Sequence, residues 1–186
     1  MKKNKLHLIV FVALFLIIQM PGIKAQNYIS NNVKISFYSS TPIEDIKAAS
    51  NKTSAVLIAQ NGAFAFQVAI KSFEFEKKLM QEHFNENYME SDKFPYATFK
   101  GSLSPNINWK EDGEYKSIAK GILTLHGVSK PRSIPTKVTV KNGVISVSAD
   151  FEVACSDHDI DIPTLVFTKI AKVISVKVNG TLNPKP

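Results

Sequence analysis

The sequence predicts a mainly β domain of eight antiparallel strands with one or two short helices. Three observations predict it. Apolar and polar residues alternate with a period of two along most of the chain, as they do in strands with one buried and one solvated face. Two Asn-Gly pairs, Asn61-Gly62 and Asn142-Gly143, join such runs where a type I′ hairpin turn would need φ > 0. Helical spacing is clear in one segment only, near 76–88.

Residues 1–25 read as a signal peptide, not as part of the fold. Lys2, Lys3 and Lys5 precede an unbroken apolar run over 8–18. Gln19, Pro21 and Gly22 break that run, and Ile23-Lys24-Ala25 ends on a small residue. The run falls short of the ~20 apolar residues that span a bilayer. No later segment reads as transmembrane, and no Cys follows the run to take a lipid anchor. Cleavage after Ala25 would leave 26–186 as one domain, periplasmic or secreted, large enough for a substantial core.

The strands follow in order. Val33, Ile35 and Phe37 alternate with Lys34 and Ser36, giving a strand near 33–38. Asn61-Gly62 joins 54–60 to 63–73, where Phe64, Phe66, Val68 and Ile70 share one face. Strands at 97–103 and 115–125 come next. Asn142-Gly143 joins 135–141 to 144–153, the latter alternating through Ile145, Val147, Ala149, Phe151 and Val153. The last strand, 171–182, alternates through Ile174, Val176 and Val178. In the helical segment Leu79, Met80, His83 and Phe84 fall at helical spacing, and Pro95 prevents its continuation into the next strand. A second short helix is expected within 40–51, with Thr41 as cap and Pro42 at its first position. Eight strands with short hairpins suit a barrel or a sandwich, and the pattern alone does not separate them.

Composition narrows the function. Residues 1–25 hold four of the lysines and no acid, so removing them takes the net charge from +7 to +3. That bias is weak, and with Arg132 as the one arginine no basic stripe argues for nucleic acid. Cys155 is the one cysteine, so an exported chain would fold without an internal disulfide, its thiol buried and free. Asn51-Lys52-Thr53 and Asn179-Gly180-Thr181 match glycosylation sequons, which count only in a eukaryotic secretory route. There is no G-x-S-x-G elbow and no phosphate-binding Gly loop, and the chain reads as no enzyme and as needing no cofactor. Asp157-His158-Asp159-Ile160-Asp161 gathers four potential metal ligands but lacks a ligand spacing that fixes geometry, so a solvated polar turn is the expectation, with a metal-dependent enzyme as a minor alternative.

Three motifs carry a resemblance. The stretch 79–99 holds the helical segment, then Glu90-Ser91-Asp92-Lys93-Phe94-Pro95, then Thr98-Phe99. A second reads Gly121-Ile122-Leu123-Thr124-Leu125-His126-Gly127-Val128-Ser129-Lys130-Pro131. A third joins Phe151-Glu152-Val153 to Ser156-Asp157 and Ile160. In that order they resemble the YceI-like family of secreted lipid-binding barrels, over most of 54–182. The resemblance implies an eight-stranded, lipocalin-like barrel whose long apolar cavity holds an isoprenoid or similar amphiphile. Where such chains often open on an Asp-x-x-His-Ser stretch, this one reads Ser30-Asn31-Asn32-Val33 with no His.

Physical chemistry allows such a carrier. Burying a CH₂ contributes roughly 0.8 kcal/mol, so a few five-carbon units offset the ~4–15 kcal/mol that association costs. Phe64, Phe66, Val68, Phe99, Leu123, Leu125, Phe151, Val176 and Val178 are the expected cavity walls; Tyr88, Phe94, Tyr96 and His126 are expected at a mouth or head group. The alternative is a structural or interaction barrel whose core the same side chains fill, working through rim loops such as 106–113. Exposed barrel edges would make a homodimer plausible.

Overall fold

The computed structural model describes residues 26–104, 107–163 and 169–185. Its strands are β1 (Asn27–Ser40), β2 (Asp45–Ile58), β3 (Ala63–Ala69), β4 (Glu74–Phe75), β5 (Tyr96–Leu103), β6 (Gly113–Leu125), β7 (Val128–Lys141), β8 (Val144–Ala154) and β9 (Val173–Pro184). One helix, α1 (Lys78–His83), continues as a π-helical turn (Phe84–Tyr88). Every strand pairing is antiparallel. Because β1 pairs with both β9 and β2, eight strands close into a ring. The two-residue β4 lies outside that ring and pairs only with Ala48 and Ala49 of β2. Closure settles barrel against sandwich. Among the described residues no helix is long and apolar enough to cross a membrane.

Alternation puts Tyr28, Val33, Ile35 and Phe37 of β1 on the inner face, opposite Ala48, Ala55 and Leu57 of β2. Paired register shifts near Ser30–Ile35 bend these two long strands without turning their apolar face outward. The cross-strand pair Gly101 and Gly121 brings β5 and β6 into close backbone contact. A Cβ on Gly101 would stand 2.0 Å from the Lys120 carbonyl oxygen, so only glycine allows β5 and β6 to approach this closely.

Two hydrophobic clusters form inside. One, at the end of the barrel carrying the Asn142-Gly143 turn, packs Tyr28, Leu57, Val138, Ile145 and Leu182, each 2% exposed or less. The other, at the opposite end, packs Ala48, Val68 and Phe73 with Phe37, Phe75 and Phe84.

Three local expectations are corrected. The second helix within 40–51 is absent. Thr41 does cap, its Oγ1 accepting the Glu44 N–H at 3.0 Å, but the chain turns back there and β2 begins at Asp45. The strand alternation of Ile46, Ala48 and Ser50 prevails over the Thr-Pro helix start, because β1 and β4 supply ladder partners on both sides. The strand expected over 63–73 breaks at a 3₁₀ turn (Ile70–Ser72), where Ser72 Oγ donates to the Ala69 carbonyl at 2.6 Å. Asn61-Gly62 does not form a type I′ turn. Only Gly62 has positive φ (+68°), within a four-residue loop closed by its N–H donating to the Ile58 carbonyl at 2.9 Å. The type I′ pattern, φ > 0 at both turn residues, occurs at Asn142-Gly143 (51°, 74°) and at His126-Gly127 (50°, 75°).

Candidate ligand cavity

The barrel is hollow. A cavity of about 520 Å³ runs between the two clusters, from Leu57, Leu103 and Leu182 at the closed end to Leu79, Met80 and Phe84 of the helical segment at the other. That volume lies within the ~300–1,000 Å³ typical of small-molecule sites. A filled core would leave inward side chains fully buried. Here Phe66, Phe99, Phe151, Val176 and Val178 occupy the inward alternation yet are only half-buried, because they face the cavity.

All nine wall positions expected from the sequence, Phe64, Phe66, Val68, Phe99, Leu123, Leu125, Phe151, Val176 and Val178, line this cavity. Of the four mouth candidates, Tyr88 lines it, and burial pushes its hydroxyl pKa up. Phe94, Tyr96 and His126 do not line it. Tyr96 points outward and is 52% exposed. Phe94 packs edge-on against the His126 ring at a centroid distance of 4.7 Å.

His126 is a latch beside the cavity. Its Nδ1–H donates to the His158 carbonyl at 3.1 Å, and its Nε2 lies 3.0 Å from a Glu90 carboxylate oxygen. The ring therefore ties the Phe94-Pro95 corner to the turn after β8. The left-handed backbone of His126 aims it there, and Gly127 must be glycine, since a Cβ would stand 2.5 Å from the Phe94 ring.

The acidic stretch after β8 is less solvated than its composition suggests. Residues Cys155–His158 form a 3₁₀ turn, and Asp159 ends it at φ 53°. His158 is fully buried, its Nδ1–H donating to the Val128 carbonyl at 3.1 Å, while Nε2 has no hydrogen-bond partner. Asp157 lies 3.7 Å from the Arg132 guanidinium, which also donates to the Glu152 carbonyl. Among the described residues no three His, Cys, Asp or Glu side chains converge on a point. Cys155 lines the cavity, 7% exposed, and burial pushes its thiol pKa up.

The sequence reading missed the aromatic end of the cavity. Phe84 sits 5.4 Å from Phe37, 5.9 Å from Phe73 and 5.0 Å from Phe75, ring centre to ring centre. Phe37 and Phe84 carried a signal in their strand and helix spacings. Phe73 and Phe75 carried none, because the 3₁₀ turn before them interrupts the alternation. The lining is mostly apolar, and its polar residues include Ser39, whose Oγ accepts the Ala171 N–H at 2.9 Å, Glu44, His83 and Lys169 toward the helix end, and Gln67, Thr98, Ser148 and Thr136 along the strands, the last bonded to the Ile134 carbonyl. Such a surface holds an apolar body and offers few polar contacts to orient a head group.

Among known families, the YceI-like domain matches residues 22–182. No curated protein matches the chain. Solved structures share its fold. A polyisoprenoid binding domain from Saccharophagus degradans, implicated in plant cell wall breakdown, is 15% identical with a TM-score of 0.74, over 87% of this chain and 100% of that one. BcnA of Burkholderia cenocepacia is 18% identical with a TM-score of 0.68, over 80% and 95%. The YCEI protein of Campylobacter jejuni is 18% identical with a TM-score of 0.61, over 79% and 89%.

Proposed function

Because the chain belongs to the YceI-like domain family, we propose that it is a binding protein that holds an isoprenoid-type lipid, or a similar amphiphile, in its barrel. One observation carries this reading: a closed barrel encloses a cavity of about 520 Å³ whose walls are almost wholly apolar. A flexible hydrocarbon chain placed against such walls buries its own apolar surface, which contributes roughly 25 cal/mol per Å². The polyisoprenoid-binding description of the Saccharophagus degradans domain points the same way. The basic, apolar, small-residue order of 1–25 supports export to a periplasm or beyond. The absence of a motif for catalysis supports a carrier over an enzyme.

The reading is tested with delipidated protein and a fluorescent polyprenyl probe. Wild type should bind it saturably. Ala149→Phe should bind it at least tenfold more weakly while keeping its circular dichroism spectrum, because Ala149 lines the cavity between its strand neighbours Thr136 and Val178, where a ring would project into the space. Equal binding by the variant would remove the cavity as the site.

A further inference from the structure

The two most exposed large hydrophobic side chains among the described residues are Ile43, 64% exposed, and Leu79, 61% exposed. Neither belongs to the barrel's outer wall. Ile43 tips the turn between β1 and β2, and Leu79 lies on α1. The ion pair between Lys77 and Glu44, 3.1 Å long, ties those two elements together, so both side chains stand on the same rim. Leu79 also lines the cavity, so an exposed apolar side chain of this rim faces both the interior and the outside. Among the described residues the opposite end offers no such route, being packed with Tyr28, Leu57 and Leu182.

We propose that this rim docks on a lipid bilayer, with Ile43 and Leu79 inserted among the acyl chains. The inference rests on the reading of the cavity as a lipid site, since a bilayer is where an apolar cargo is stored and where it leaves without crossing water. Exposed apolar side chains that continue into a cavity mark an interaction surface. The charges beside them are mixed: Lys78 and Lys169 stand with Glu76 and Glu82, all exposed. Docking is therefore driven by apolar insertion, and anionic lipid adds little. Lysine stems at such a boundary cover apolar surface while their heads reach water.

The test is flotation of the protein with vesicles of phosphatidylcholine, alone or mixed with phosphatidylglycerol. Wild type should float with both to a similar extent. Ile43→Asp and Leu79→Asp should each lower the bound fraction about tenfold, the loss of one inserted side chain. Ile122→Asp, on the outer wall where Ile122 is 46% exposed, should float like wild type. Ile43→Asp should still take up the polyprenyl probe, because Ile43 does not line the cavity. No flotation with either vesicle, or flotation that survives both Asp substitutions, overturns the proposal; the former result would leave a protein partner as the occupant of the rim. Anchor-dependent flotation by a protein that takes up no probe supports the docking surface and sinks the cavity reading instead.

Discussion

Replacing Phe84 by alanine should open the mouth without unfolding the barrel. α1 has six residues, no side-chain N-cap bond and no buried residue of its own. Helices this short are not stable in water, so tertiary contacts hold it in place. Phe84, which follows it directly, makes three ring pairs, with Phe37, Phe73 and Phe75. Each pair contributes about 0.5–1.5 kcal/mol beyond area burial, so the three together hold about 3 kcal/mol. At 1.4 kcal/mol per tenfold, their loss raises the undocked population of α1 roughly a hundredfold. Hydrogen exchange of a peptide covering 78–88 should quicken by about that factor, while Val138 in β7 and Ile145 in β8 keep their protection. Release of a bound fluorescent polyprenyl probe should quicken with it. Faster exchange throughout the barrel would mean that the rings are part of the global core. Unchanged release, with the segment exchanging freely, would mean that α1 does not cover the route out.

Other perturbations separate structure from binding. His126→Ala removes the bonds to the His158 carbonyl and to Glu90, the latter half exposed, and should cost about 3 kcal/mol in urea unfolding; probe binding below the transition should persist, and its selective loss would place His126 in the site. Gly101→Ala should cost at least about 3 kcal/mol by forcing β5 from β6. Gly143→Ala, at φ 74° with nothing within 4 Å of the added Cβ, should cost about 1 kcal/mol, and equal effects in thermal melts would refute the close approach at Gly101. The Cys155 thiol should react with iodoacetamide only as the fold opens, and more slowly still when the cavity is loaded. Its raised pKa means that the fold favours the neutral thiol. That contribution is complete below the unfolded thiol pKa of about 8.5 and is lost as pH rises from there through the higher folded-state pKa, so wild type should lose stability over that range more steeply than Cys155→Ala.

What the sequence disclosed divides along physical lines. Period-2 patterning located five of the eight barrel strands and six of the nine proposed wall residues, because an inward side chain must be apolar whether the barrel is full or hollow; the strands at 54–60, 97–103 and 115–125 were placed from the turns and motifs beside them. For the same reason the pattern could not reveal the cavity, whose size depends on how eight strands close. The helix expected at 40–51 failed because a capping threonine serves a β-turn as well as a helix start. His126 looked like a mouth residue because a histidine at a strand end is ambiguous. Its partners, Glu90 and the His158 carbonyl, lie 36 and 32 positions away in sequence. Phe73 and Phe75 were invisible because their neighbours arise from the fold and not from their own spacing.

The most direct test of the central claim is native mass spectrometry of the protein purified from its own host without detergent, followed by organic extraction. The account predicts a discrete mass above that of the polypeptide, lost on extraction, with one long-chain apolar molecule recovered per chain. A bare polypeptide mass with nothing extracted, from protein whose cavity also rejects a polyprenyl probe, would contradict it.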